Sequence, residues 1–83
     1  MNKVLVEICV PAIGDHFDIF APIDIPLQDV TKVIADGIVE LTNEKYVTSG
    51  CELLCMKEPE GLLDPSLTLE DYGVKDGMQL YLI

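Results

Sequence analysis

Three cysteines, one histidine and fifteen carboxylates are the side chains of this 83-residue chain that could do chemistry. Cys51 and Cys55 stand four apart in CELLCMK, so on an extended strand they lie ~13 Å apart, beyond the reach of a disulfide. Cys9, Cys51, Cys55 and His16 could together supply four donors to a zinc ion, but no C-x2-C spacing supports such a site. An iron–sulfur cluster needs four cysteines at a characteristic spacing, which three scattered ones do not supply. A cysteine–histidine nucleophile pair needs a third group to orient the histidine, and the sequence marks none. Glu70, Asp71 and Asp76 lie near Gly73 and Gly77 as turn residues do, without the pattern of a calcium loop. The simpler expectation is that Cys51 and Cys55 are small buried hydrophobes and that His16 is a solvated strand-end residue. No catalytic residue, metal or cofactor is implied, and the chain reads as a non-enzyme.

The elements that would carry these residues follow from periodicity. Val4, Val6, Ile8 and Val10 alternate along one strand, and Phe17, Ile19 and Ala21 along a second. Pro11 and Gly14-Asp15 between them predict a hairpin with an extended loop. Asp18 and Phe20 then point outward, leaving Phe20 an exposed aromatic. Pro22 and Pro26 break the pattern in APIDIP. The period next changes to that of a helix over Leu27–Leu41, with Leu27, Val30, Val33, Ile34, Gly37, Ile38 and Leu41 on one side. Pro26 suits its first turn, and Gly37 within the stripe predicts close approach of the helix to a sheet. CELLCMK is a third strand, with Cys51, Leu53 and Cys55 on one face and Glu52, Leu54 and Met56 on the other. KEPEG turns the chain, Leu62-Leu63 form a short strand, and MQLYLI closes with Met78, Leu80 and Leu82 opposite Gln79, Tyr81 and Ile83. One domain over residues 1–83 is expected, without repeats or low-complexity segments.

Charge narrows the partners. Five lysines and arginines face fifteen aspartates and glutamates, a net charge of −10 in a chain that is 49% apolar. Enough apolar residues are present for a core, so the acidity belongs to the surface and does not mark disorder. Nucleic acid and anionic lipid are disfavoured, because both need phosphates neutralised by basic groups. No stretch approaches the ~20 apolar residues of a membrane span, and the opening run, which alternates and is interrupted by Glu7, is not expected to be a signal peptide. An odd number of cysteines suggests reduced thiols, hence a cytoplasmic setting.

The run TLEDYGVKDGMQLYLI resembles the end of ubiquitin, matching at Thr68-Leu69, Asp71-Tyr72, Leu80 and Leu82 in type and spacing. The hairpin, helix and third strand resemble ubiquitin in their order as well. The resemblance implies an α+β ubiquitin-like β-grasp fold, a mixed sheet of order 2-1-5-3-4 packed on one helix. Within that superfamily the chain is similar to the YukD/EsaB group, in VEICVPAIGDHFDIFAP, VTKVIADGIVEL and GVKDGMQLYLI. Members of that group accompany type VII (WXG100/ESX-like) secretion systems of Gram-positive bacteria as small cytosolic accessories. Ubiquitin and the sulfur carriers of this fold act through a flexible Gly-Gly past the last strand. Leu82-Ile83 stand there instead, without glycine's backbone freedom, so conjugation and sulfur transfer are not expected.

The resemblance also directs attention to the sheet face not covered by the helix. Ubiquitin's recognition patch corresponds there to Ile13, Leu54, Tyr81 and Ile83, and Met56 shares the parity of Leu54. Such a cluster on a small domain marks a protein partner; the competing reading packs these residues under the 57–67 loop. A second surface is the edge of strand two at Phe20, where strand addition or self-association could occur. The expected function is a non-enzymatic interaction module serving type VII secretion, its partner a basic or apolar protein surface. The alternatives are a regulatory ubiquitin-like adaptor unrelated to secretion, or a β-grasp carrier or enzyme-like protein.

Overall fold

Alternation in KVLVEICV and DHFDIFAP produces the two strands it predicts, β1 (Lys3–Val10) and β2 (Asp15–Pro22). They pair antiparallel from Lys3↔Pro22 to Val10↔Asp15. Their connection is closed by Ile13 N donating to Val10 O and Gly14 N to Pro11 O, both at 3.2 Å. Gly14 has φ +64°, where a side chain would be strained, so glycine is what this turn needs. The computed structural model describes residues 2–57 and 61–83. The turn expected at KEPEG lies at 58–60 outside the described residues.

The remaining elements are α1 (Leu27–Leu41), β3 (Leu54–Met56), β4 (Gly61–Leu62) and β5 (Met78–Leu82). The sheet has the order β2-β1-β5-β3-β4. The central pair, β1 and β5, is parallel, with Ile8 opposite Leu80 and Cys9 opposite Tyr81. β3 runs antiparallel to β5 and to β4. A chain whose first and last strands are central neighbours must close its sheet through contacts distant in sequence. Asp76 assists that closure: its Oδ1 accepts from Leu5 N at 2.8 Å, while Gly77 N donates to Leu5 O.

Apolar side chains of α1 cover one sheet face. Val6, Ile8, Leu80 and Leu82 from the sheet meet Leu27, Val30, Ile34 and Ile38 from the helix in one buried cluster. The helix stripe differs from expectation at its edges: Thr31 and Ala35 are buried, whereas Val33 and Leu41 are exposed. Thr31 is accommodated because its hydroxyl donates to Leu27 O at 2.7 Å; a satisfied polar group costs little to bury. Gly37 is not a point of close approach, since a Cβ built there would meet nothing within 4 Å. Pro26 stands one position outside α1, at its N-cap. The amides of Leu27 and Gln28 donate to the carbonyls of Leu67 and Pro65, at 2.7 and 3.0 Å. Two of the helix's otherwise unpartnered donors are thus satisfied by the chain leading from β4 to β5.

That connection is itself ordered by side chains. Thr68 and Asp71 cap each other: Thr68 N donates to Asp71 Oδ2 at 3.0 Å and Asp71 N to Thr68 Oγ1 at 3.1 Å. Leu69 between them is fully buried. Asp64 Oδ1 accepts from both N and Oγ of Ser66, which lowers its pKa below the usual carboxylate value. Tyr72 Oη accepts from Asp64 N at 2.8 Å, joining the two turns.

Candidate protein-interaction face

The sheet face opposite α1 is organised by register into rows that cross the strands. One row runs His16, Cys9, Tyr81, Cys55, Leu62 across β2, β1, β5, β3 and β4. Beyond it, Leu53 and Ile83 face each other as backbone partners, with N···O distances of 2.9 and 3.0 Å in the two directions. Leu53, Leu62 and Ile83 are 42%, 60% and 56% exposed, and Tyr81 and Cys55 are half-buried between them. The result is an apolar sector at the β5-β3-β4 end of the face.

A polar row bounds this sector. Asp18, Glu7 and Gln79 lie side by side in the register, and Lys57 N donates to Gln79 O to continue it. Gln79 Nε2 donates to Glu7 Oε1, and Glu7 Oε2 lies 3.8 Å from His16 Nδ1. Past the polar row, Phe20 stands opposite Leu5 and is 65% exposed. The open face therefore carries two apolar areas separated by a hydrogen-bonded polar strip.

This geometry corrects the candidate set drawn from sequence. Leu54 and Met56 are 2% and 7% exposed and belong to the core. Their register partners are Leu82 and Leu80, whose side chains face the helix. Because side chains alternate strictly, β3 can present only one parity to the helix. Burying Leu54 and Met56 removes more apolar surface from water than burying Leu53 and Cys55 would, because methionine is larger than cysteine. The thiol expectation inverts accordingly, with Cys51 exposed and Cys55 on the open face. Tyr81, Ile83 and Phe20 stand on the open face, whereas Ile13 is half-buried and packs against the core. Leu53, Cys55 and Leu62 are the patch residues sequence reasoning missed. The signal for Leu53 and Cys55 is their shared parity with Cys51; Leu62 reaches this face through its pairing with Cys55, which no local pattern announces.

The approach to β3 is held by a part-buried clasp. Tyr46 Oη donates to Glu52 Oε2 at 2.8 Å, and the amides of Ser49 and Gly50 donate to the same carboxylate at 2.8 and 3.1 Å. Burial pushes the Tyr46 hydroxyl up to about 12, helped by its bond to Glu52 and by that carboxylate's charge. Burial alone would raise Glu52, but the donors from Ser49, Tyr46 and Gly50 outweigh it and hold Glu52 below its ordinary value. The clasp thereby fixes the segment that delivers Leu53 to the patch and Leu54 to the core.

Cys9 stands opposite His16 in the register, yet among the described residues no hydrogen bond joins them, and the imidazole is directed toward Glu7. Among the described residues no three His, Cys, Asp or Glu side chains are grouped to hold a metal. No helix of the described residues is long and apolar enough to cross a membrane. A sheet face with an apolar sector, a tyrosine and a bounding polar row is suited to contact with another macromolecule.

Comparison with known proteins supports the fold. No protein-family model and no curated protein matches the chain. Among solved structures it is similar to the ubiquitin-like domain of the Mycobacterium tuberculosis type VII secretion protein EccD1. That match has TM-score 0.79 and 18% identity, over 100% of this chain and 99% of that one. It is similar as well to a chain of the MycP5-free ESX-5 inner membrane complex, with TM-score 0.79 and 16% identity. There it spans 21% of the other chain's length. The ubiquitin-like domain of Plasmodium falciparum Dsk2 matches with TM-score 0.69 and 21% identity, over 99% of this chain and 100% of that one. Strand order, the single helix and these matches agree on a ubiquitin-like fold.

Proposed function

We propose that this ubiquitin-like fold serves as a non-enzymatic protein-interaction module, an accessory of a type VII secretion system related to the YukD/EsaB group. The observation that carries the reading is the apolar sector of the open face, where Leu53, Leu62 and Ile83 remain exposed around Tyr81 and Cys55. A small monomer gains nothing in stability by exposing apolar side chains together, whereas a docking surface requires it. Two of the similar structures bear names from type VII secretion, one of them an inner membrane complex. Those names and the sequence resemblance support the assignment to that machinery. The module would work in the cytoplasm, where its free thiols stay reduced, and would meet a component with an apolar or basic surface.

The test is binding to the proteins encoded beside it, above all the soluble domains of a membrane ATPase, measured by calorimetry. Leu62→Asp and Tyr81→Ala should abolish binding with the thermal unfolding transition nearly unchanged. Binding that survives both variants would remove the open face as the site. A neighbourhood with neither a membrane ATPase nor WXG100-type proteins would leave a regulatory adaptor outside secretion as the better reading.

A further inference from the structure

A groove of about 380 Å³ runs along α1 on the helix side of the sheet, away from Tyr81. Leu27, Ala35, Leu54 and Leu63 form its apolar floor. From Leu27 to Asp36 the helix wall is ~13 Å long, at ~1.5 Å per residue. The opposite wall is the segment before β3, held in place by the Tyr46–Glu52 clasp. A trough of this length fits about four residues of extended chain at ~3.3 Å each.

Charge selects the occupant. Asp36 and Glu52 line the groove against the single cation Lys32. Asp29, one turn before Lys32 and two before Asp36, and Asp64, between the lining residues Leu63 and Pro65, add acidic groups beside the groove. Another copy of the chain would bring its own charge of −10 to this surface, and like charges disfavour that association. An acidic rim around an apolar floor is instead complementary to a cationic segment with apolar anchors. We infer that the groove between α1 and the segment preceding β3 docks an extended basic segment of a partner protein, whose apolar side chains enter over Ala35 and Leu63. Leu53 stands at the edge of both surfaces, but Tyr81, Cys55, Leu62 and Ile83 do not line the groove, so one molecule can hold two partners, or two parts of one, on opposite sides of its sheet.

The experiment titrates ¹⁵N-labelled protein with three short synthetic peptides: one alternating leucine with arginine, its glutamate counterpart, and one alternating serine with arginine. The leucine–arginine peptide should shift amide resonances of residues 27–36 and 48–54, and the glutamate peptide should not. The serine–arginine peptide should bind about tenfold more weakly, for want of apolar anchors. Asp36→Lys, an exposed substitution, should weaken the leucine–arginine peptide about tenfold by reversing the rim charge. Cys51→Trp, which fills the groove from its exposed wall, should abolish its binding. Tyr81→Ala should change it by less than about twofold, because Tyr81 does not line the groove. Shifts centred on Gln79 and Tyr81, equal binding of the serine or glutamate peptides, or no groove shifts at about millimolar peptide would each overturn the inference. Groove shifts on concentrating the protein alone would overturn it in favour of a second copy. Loss of open-face binding by Tyr81→Ala with groove binding retained separates this inference from the proposed function.

Discussion

Truncating Leu53 and Leu54 to alanine, one at a time, separates the two faces of β3. Leu54 is 2% exposed and packs among Leu82, Leu80 and the helix, whereas Leu53 is 42% exposed on the far side. Removing a buried leucine side chain costs about 2–5 kcal/mol, the transfer loss plus the cavity. A value of ~3 kcal/mol is reasonable for Leu54, near the edge of the cluster and able to relax toward the neighbouring groove. Leu53 retains only part of its burial, and its truncation should cost under ~1 kcal/mol. A domain of 83 residues has a total stability of roughly 4–12 kcal/mol, so Leu54→Ala removes a large share of it. Each kcal/mol shifts Tm by about 4–8 °C at this size, giving a drop of ~12–24 °C for Leu54→Ala and under ~8 °C for Leu53→Ala. Circular dichroism melts together with urea titrations read both numbers, the second checking that m is unchanged. The adjacent pair should repeat the pattern, with Met56→Ala costly and Cys55→Ala mild. A Leu53→Ala variant as damaged as Leu54→Ala, or more so, would refute the register of β3 and with it the composition of the patch.

Three further outcomes follow from local geometry. Gly37→Ala should stabilise the protein by about 1 kcal/mol, read as a raised Tm, because the position is helical and a Cβ there meets nothing. Glu44 has φ +66° just past the helix, a conformation costing roughly 1–2 kcal/mol for a side-chain-bearing residue, so Glu44→Gly should raise the urea midpoint. Glu52 titrates below its ordinary value of 4.5 in the fold, so its contribution is present above that pH and fades as pH falls through the depressed pKa. The stability gap between wild type and Glu52→Gln should therefore be full near neutrality and shrink in acid; a gap independent of pH would dissociate the clasp from the carboxylate's charge.

Much of the architecture was legible in the chain. Strict alternation in β1, β2 and β5 reveals both the element and the face, because the inward positions from Val4 to Val10, Phe17 to Ala21 and Met78 to Leu82 are all apolar while the outward ones mix Glu7, Asp18 and Gln79 with Leu5 and Phe20. The 3.6-residue period marks α1 to its final residue, Leu41. What could not be read was the sense of β3, since Leu53 and Cys55 on one parity compete with Leu54 and Met56 on the other. Only pairing with Leu80 and Leu82, about 25 residues later in the chain, decides between them. The helix stripe blurred for a related reason: Val33 is more apolar than Ala35, yet Ala35 lies on the side of α1 that meets the core. The groove was invisible to periodicity because its two walls come from segments with no common repeat.

The parallel pairing of β1 with β5 has a mechanical consequence. Force applied between Lys3 and Leu82 would act along both strands in opposite directions, so that it slides one past the other. The register pairs from Val6↔Met78 to Cys9↔Tyr81 would carry that load together, because none can open before its neighbours. A hairpin pulled from its two ends parts one rung at a time, under a much smaller force. A module tethered by its ends to moving components could thus bear tension across its centre while its exposed face and its groove keep their shapes.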